Sequence, residues 1–474
     1  MSSEQAISND DKAVTGKSTE ALKLRLLNAT LRHAREQSEF YHERIPEGFV
    51  ERITSIGDLE ALPILTKEEI EAAGSRIICR DSPPEIFKTS RGTTGQPLLV
   101  PISRKEIDAY NDTLRELGFW KRNYPPNTLF LDIDDDVHGE RLTGALLPFP
   151  HLCVTIYGRD SLEGAARHLF REHTQIGNGA YVTDLMGDLV KFTTYLVSEE
   201  RDPRASHVRN LYFAGRGVSD KWRSILTEVW GGADQSEVYG LSEVFGGASR
   251  CQRCGRYHLS PYVIPEVLDP FNRSRLEDGI GVLVLTTLIP FVRSRPMIRY
   301  WTGDIVNAVR TSCPGDRFHR LGIEIKGRLR DAVRLGPLAP NRLALFPYDV
   351  LAAVDEIPDI RRAVHSIDRL AIAEGIAGFE YVGFPIYAAS IKEVTPDRIG
   401  LMVSFELRYP PRLFPQRTKE LQTVIASRLI SCCHEIRELV ETGRLELSVE
   451  LHGPRIKSAY PSDLADQEPK PRFS

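Results

Sequence analysis

The 474-residue sequence has no apolar run approaching the ~20 residues that a membrane-spanning helix needs. An ordinary helical membrane protein is thereby excluded. The first seventeen residues, MSSEQAISNDDKAVTGK, lack the apolar core of a secretory leader. An excess of one charge is also missing. The formal net charge of −4 gives no electrostatic case for a nucleic-acid partner or an anionic membrane surface. Cysteine is sparse: seven residues, an odd number, spread without the spacing of a disulfide framework. Reduced thiols in a cytoplasmic protein are the expectation. No fixed-period repeat and no low-complexity tract is visible. No glycine-rich segment ends in the Gly-Lys-Ser/Thr of a Walker phosphate loop.

What is present reads as a soluble α/β protein. Hydrophobic residues make up 41% and charged residues 27%, which is ordinary for a globular chain. The length fits about three domain-lengths, or one large domain with a small one. Leu24, Leu27, Leu31 and Ala34 recur at spacings of three and four, the mark of one apolar helix face. Thr66 and Glu69 form a capping-box pattern at a second helix start. From about 86 to 287 short apolar runs alternate with helical stretches. Thr128–Asp132, Leu152–Tyr157, Leu211–Ala214 and Gly281–Thr287 are strand candidates, and 104–117, 161–173 and 220–230 are helix candidates. Beyond Gly327 the character becomes α+β: a strand at 401–407, one long helix at 417–439 and a strand at 445–451. The expected organisation is a tail over 1–17, a large multi-sheet N-terminal domain over 18–330, a small α+β C-terminal domain over 331–460 joined by a hinge, and a tail over 461–474.

Two segments suggest chemistry on their own residues. In Lys88-Thr-Ser-Arg-Gly-Thr-Thr-Gly-Gln-Pro97, two glycines bracket two threonines before a strand-like run. Glycine lets backbone N–H groups approach a ligand closely, and threonine hydroxyls add donors, so such a loop suits phosphate oxygens. A polar β-turn is the plain alternative. Cys251-x-x-Cys254 followed by His258 has the spacing of a tetrahedral zinc site and needs a fourth ligand. Thiols without a metal are the alternative there.

Four motifs in order make the chain recognisable. SRGTTGQP (90–97) resembles the phosphate loop of the adenylate-forming superfamily. Tyr239-Gly-Leu-Ser-Glu243, Tyr300-Trp-Thr-Gly-Asp304 and Gly327-Arg328 with Asp331 resemble its YGxTE, YxTGD and GRxxD elements. Leu31–Arg35, Phe40–Arg44, Leu62–Lys67 and Asn341–Pro347 resemble the phenylacetate–CoA ligase branch. The resemblance implies ATP-dependent adenylation of a small carboxylic acid to acyl-AMP, with CoA as the default acceptor. It implies that Ser90, Gly92, Thr93, Thr94 and Gly95 hold the β/γ-phosphates. Tyr239 and Gly240 would line the adenine, with Arg216 nearby, and Ser242 would touch the α-phosphate or the acyl oxygen. Glu243 would hold Mg2+. Asp304 would bind the ribose hydroxyls, and Arg328 ribose or phosphate. Arg299 would face the site, and Lys457 is the candidate catalytic lysine.

The match has departures. Arg91 and Gln96 stand where the family has a small serine and a lysine, and the surroundings of Lys457 differ from the usual ones. Relatives imply Cys313 as the fourth zinc ligand, with His319 as runner-up and a structural role for the metal. The acidic stretch Asp132–Glu140 replaces the glycine- and phenylalanine-rich acyl pocket of aromatic-acid relatives. It fits either a hydroxylated or cationic acid or a solvated loop. The implied partners are the acid, ATP and CoA, with no nucleic acid and no membrane, and a homodimer left open. A carrier protein or an amine as acceptor, and a non-catalytic nucleotide-binding relative, are the other readings.

Overall fold

The computed structural model describes residues 16–89, 98–116, 128–133, 151–156, 158–171, 183–187, 189–214, 219–316, 318–336, 341–362, 384–395 and 397–454. The expected phosphate loop (90–97), Arg216, Lys457 and the acidic stretch beyond Ile133 lie outside them. The strands are β1 Ile86–Thr89, β2 Leu99–Ile102, β3 Thr128–Ile133, β4 His151–Ile156, β5 Thr183–Gly187, β6 Val208–Ala214, β7 Asp234–Leu241, β8 Val244–Arg250, β9 Tyr257–Leu259, β10 Val263–Leu268, β11 Gly279–Thr287, β12 Tyr300–Arg310, β13 Leu321–Arg328, β14 Val333–Arg334, β15 Leu343–Leu345, β16 Tyr387–Thr395, β17 Arg398–Glu406 and β18 Leu445–His452.

The chain begins with the amphipathic helix Gly16–Gln37, whose Leu27, Leu31 and Ala34 are fully buried. The Thr66–Glu69 box forms reciprocally: the Glu69 carboxylate accepts from the Thr66 N–H at 2.8 Å, and the Thr66 hydroxyl accepts from the Glu69 N–H at 3.3 Å. These N-terminal helices share one core with β8 to β13.

Among the described residues the largest sheet has eleven strands, in the order β10-β11-β12-β13-β9-β8-β7-β6-β5-β3-β4. Its two halves differ in kind. From β4 to β7 every pairing is parallel. Parallel neighbours require crossovers, and the helices Gly158–Leu169, Leu189–Ser198 and Asp220–Val229 supply them. Phe192, Leu226 and Trp230 pack with Leu129, Leu131 and Leu211 beneath. From β7 to β10 every pairing is antiparallel. This half curls on itself, since β8 also approaches β11.

The C-terminal part has its own three-stranded sheet, β16-β17-β18, with β17 and β18 parallel. Leu401, Val403 and Phe405 pack there against Leu421, Ile425 and Leu429. The single helix expected over 417–439 is two, Pro415–Cys432 and His434–Glu441. Cys433 breaks it with an extended backbone (φ −103°, ψ 104°) and drops fully buried into the core. β13 meets this part directly. The Lys326 ammonium lies 2.9 Å from Asp349 and 2.9 Å from Glu324. A Cβ at Gly327 would come within 2.8–3.0 Å of the Pro347 ring. Ile305, Leu343 and Phe346 close the contact as a small apolar cluster.

Arg299 corrects one expectation. Its guanidinium does not face the nucleotide motifs. It forms a two-point ion pair with Glu266 on β10, at 2.8 and 3.1 Å, with both side chains buried. The remaining Nη donates to the carbonyls of Glu60 and Leu62 at 3.0 and 2.6 Å. Arg299 therefore ties the start of β12 to the N-terminal helices. Its positive φ of 53° reflects the turn needed to enter β12. Replacing Arg299 by Met leaves Glu266 as an uncompensated buried charge, so stability in urea denaturation should fall by about 3–5 kcal/mol. The double substitution Arg299→Met with Glu266→Met should recover most of that loss.

Candidate functional site

The site forms where the parallel half of the sheet gives way to the antiparallel half. β7 is the last parallel strand, and ligands in α/β sheets collect at the carboxyl ends of such strands. Tyr239 and Gly240 stand at that end. Leu241 pairs with Val244, leaving Ser242 and Glu243 as the two residues of a tight hairpin turn into β8. Gly240 faces open space: a Cβ there would meet nothing within 4 Å. Gly247 opposite is the reverse case. A Cβ on it would lie 1.9 Å from the Tyr239 carbonyl oxygen, so only glycine lets the two strands pair.

Asp304 reaches this end of β7 from β12. In sheet order β8, β9 and β13 separate the two strands, and the curl brings them together. The Tyr239 hydroxyl donates to the Asp304 carboxylate at 2.6 Å. Asp304 pairs in register with Arg328 across β12 and β13, so both side chains stand on one face. The Arg328 Nε lies 2.8 Å from the other Asp304 oxygen. Its Nη1 donates to the Thr302 carbonyl at 3.1 Å. Thr302 is buried and uses its hydroxyl twice, donating to the Leu283 carbonyl at 2.7 Å and accepting from the Asp304 N–H at 3.1 Å. Three expected residues, far apart in sequence, thus make one hydrogen-bonded group.

Burial governs the charges. It pushes the Asp304 carboxyl above its ordinary range, with Arg328 and Tyr239 opposing and Glu243 adding repulsion. Burial and then Asp304 push the Tyr239 phenol well up, so it stays a donor. Burial works against the Arg328 charge, but Asp304, Tyr239 and Glu243 outweigh it and hold it above its usual value. Glu243 is therefore near enough to act on Asp304 and Arg328. Tyr300, buried beside them, is raised by burial and by Glu243.

A residue that motif reading missed joins this neighbourhood. Arg295 is 4% exposed, and the charge of Glu243 acts on it. The segment Arg293-Ser-Arg-Pro-Met-Ile-Arg299 holds three arginines, and nothing in their spacing says which one turns toward the site. The structure pairs Arg299 with Glu266 and leaves Arg295 within the field of Glu243.

A second cluster sits at the opposite end of β13. Cys251, Cys254, His258 and Cys313 bring their ligand atoms within 4.8 Å of one another. The Cys251 and Cys313 sulfurs are 3.7 Å apart, and the Cys254 sulfur is 3.2 Å from His258 Nε2. Sulfur and nitrogen ligands of a tetrahedral metal stand at about such separations. The other ring nitrogen, Nδ1, faces the Leu321 carbonyl at 3.5 Å and Asp316 at 3.6 Å, the backing a metal-bound histidine uses. Asp316 in turn accepts backbone N–H groups of Phe318, His319 and Leu321. Gly315 leaves room for the group, because a Cβ there would sit 2.7 Å from the Cys251 sulfur. Burial opposes the Cys251 thiolate, but N–H groups of Cys254 and Arg253 outweigh it and lower the thiol to about 7. His319, the runner-up ligand, is not in the group; its Nε2 lies 2.9 Å from the Ser260 carbonyl oxygen. The donor set, three sulfurs and one imidazole, fits zinc chemistry.

The fold of the molecule is that of the adenylate-forming CoA ligases. It matches 2-hydroxyisobutyryl-CoA ligase, in an open conformation with 2-HIB-AMP and CoA, over 97% of this chain and 95% of that one, with a TM-score of 0.66 and 15% identity. The same ligase in its postadenylation state matches with a TM-score of 0.64 and 14% identity, over 97% and 93% of the two chains. In sequence, the phenylacetate-coenzyme A ligase of Thermus thermophilus is 24% identical over 374 residues, 72% of this chain and 76% of that protein. The phenylacetate-coenzyme A ligase of Aromatoleum evansii is 27% identical over 359 residues, with the same two coverages. No protein-family model matches the chain. The chain is a distant homologue of phenylacetate–CoA ligase, and so of the AMP-forming acid–CoA ligases. Among the described residues no helix is long and apolar enough to cross a membrane.

The two hairpin glycines give a paired test. Gly247→Ala should cost about 1–3 kcal/mol in urea denaturation, because its methyl group meets backbone that has no slack. Gly240→Ala should stay within about 0.5 kcal/mol of the parent, because the space beside it is open.

Proposed function

We propose that this chain activates a small carboxylic acid with ATP and passes the acyl group to CoA. One observation carries the reading. Tyr239, Asp304 and Arg328, from three separated motifs, meet in one hydrogen-bonded group around the buried Asp304 carboxylate, within the field of Glu243. In this reading the open face of Gly240 and the Tyr239 ring receive the adenine, and Asp304 accepts from the ribose hydroxyls. Arg328 bonds to ribose or phosphate. Ser90, Gly92, Thr93, Thr94 and Gly95 hold the terminal phosphates, and Arg216 lies by the adenine. Ser242 donates to the α-phosphate or the acyl oxygen.

The chemistry needs positioning and charge neutralisation more than a covalent nucleophile. An oxygen of the substrate carboxylate attacks the α-phosphorus. The bond from that phosphorus to the bridging oxygen breaks, and pyrophosphate leaves with the electron pair. The CoA sulfur, as thiolate, then attacks the acyl carbon and AMP departs. Mg2+ bound at Glu243 would neutralise charge developing on the phosphates. Arg328 and Lys457 would hold the α-phosphate and acyl oxygens in line. The chain is divided, in this proposal, into an N-terminal domain over 18–330 and a C-terminal domain over 331–460, turning about Arg328–Asp331 between the two half-reactions. A cytoplasmic setting suits a chain with free thiols at the Cys251 cluster.

ATP–pyrophosphate exchange with pooled aromatic, amino and hydroxy acids tests the reading. Exchange should appear with one pool and fall by about 100-fold or more in Glu243→Gln, as loss of a transition-state charge contact does. Lys457→Ala should lower it as well. ATP binding without exchange in any pool would favour a non-catalytic nucleotide binder. Exchange without consumption of free CoA would point to a carrier protein or an amine as acceptor.

The Cys251–Cys254–His258–Cys313 group is proposed to hold a structural zinc ion. Metal analysis of the purified chain should find about one equivalent of zinc. Stripping it with a chelator should lower the melting temperature by several degrees, and Cys313→Ser should reproduce the effect without added chelator.

A further inference from the structure

Among the described residues, Arg295 is a buried cation without an anion. It stands in the segment between β11 and β12, and the Tyr41 hydroxyl fixes the next residue by donating to the Pro296 carbonyl at 2.6 Å. Its Nη1 donates to the carbonyl of Leu99, the first residue of β2, at 2.7 Å. Its Nη2 is shielded from solvent and has no hydrogen-bond partner among the described residues. No carboxylate of the described residues forms an ion pair with it. The obvious candidate, Glu106, is already committed: its oxygens accept from the N–H groups of Ser103, Arg293 and Ser294 and from the Ser294 hydroxyl. Burial lowers the guanidinium to about 10, a shift that Tyr41 and Glu243 only partly oppose.

A charge removed from water and left unpaired is costly, and a protein keeps one where a partner arrives later. The position names that partner. Arg295 shares the field of Glu243 with Tyr300, Asp304 and Arg328. From the other side it holds β2, which continues in sequence from the threonine–glycine segment. A guanidinium with an unused N–H, lying within the field of the Glu243 carboxylate, suits one kind of ligand: a polyanion that arrives with its own divalent cation. The cation takes Glu243, and an anionic oxygen takes Nη2. A lone substrate carboxylate would satisfy Arg295 but leave Glu243 facing like charge.

We propose that Arg295 donates through Nη2 to the β/γ-phosphate oxygens of ATP, and to the pyrophosphate that leaves, as a phosphate-binding residue outside the recognisable motifs. This rests on the adenylation reading above. The assignment gives Arg295 a part in holding the leaving group, and Leu99 the part of keeping the guanidinium aimed.

The test compares Arg295→Met and Arg295→Lys with the full-length parent by calorimetric titration of ATP, AMP and inorganic pyrophosphate, each with Mg2+. Arg295→Met should weaken ATP and pyrophosphate by about 10- to 100-fold, the size of a charge-assisted hydrogen bond. AMP should change by less than about twofold, since it lacks the terminal phosphates. Arg295→Lys should recover part of the ATP affinity, because it restores the charge without the fork. The melting temperature separates a structural role: Met removes an unpaired buried charge, so it should not fall. Equal losses for ATP and AMP, an effect confined to the KM of the acid, or unchanged pyrophosphate binding would each overturn the proposal. Should the parent bind no nucleotide, the adenylation reading fails by itself. Pyrophosphate alone then decides for Arg295: binding lost in Arg295→Met sustains it, and no binding by the parent ends it.

Discussion

The molecule is organised around one carboxylate that water cannot reach. Asp304 is buried, and burial by itself would drive it toward the neutral form. It is held by a phenol on one oxygen and a guanidinium on the other. Each of those partners comes from a different strand, so the buried carboxylate has both of them only when β7, β12 and β13 are all in place. The curl of the antiparallel half is therefore tied to the chemistry of the site.

The rest of the architecture positions those three strands. The helices of the parallel half bring β7 to the middle of the sheet, where strand direction changes. The two-residue turn at Ser242–Glu243 sends the chain back at once, which keeps Glu243 at the mouth. On the far side, Arg299 and Glu266 lock the entry of β12 to the N-terminal helices. Arg295, four residues earlier, donates instead to the Leu99 carbonyl. Two arginines in one short segment thus separate frame from site, one saturated with partners and the other short of one.

How much of this could be read from the chain depends on the range of the forces involved. The Thr66–Glu69 cap is decided within four residues, and it formed as its pattern implies. The strand and helix alternation from Leu129 to Val229 was legible because buried parallel strands are apolar runs between amphipathic helices, and Gly281–Thr287 was legible as one apolar run. Tyr239, Asp304 and Arg328 were legible as motifs, and the structure explains their spacing by one shared hydrogen-bonded group. The arginines at 295 and 299 could not be sorted, since their fates are set by Glu266, Glu60 and Leu62, none of them neighbours in sequence. The break at Cys433 was hidden for a similar reason. An amphipathic stripe continues through 417–439, and only tertiary burial of the cysteine side chain interrupts it. The likeness of Cys313 to a metal ligand was visible only by comparison with relatives, since nothing near it in sequence repeats the Cys-x-x-Cys pattern.

The meeting of β13 with the C-terminal part has a mechanical consequence. Gly327 and the Pro347 ring touch so closely that no side chain fits between them. One residue earlier, the Lys326 ammonium is wedged between Glu324 and Asp349. The turn proposed above would have to part Pro347 from Gly327 and Lys326 from Asp349. Apolar contact at the joint resists that motion whatever the buffer, whereas newly wetted charges are screened by dissolved ions. Under that proposal the balance between the two arrangements would shift with ionic strength as well as with bound ligand.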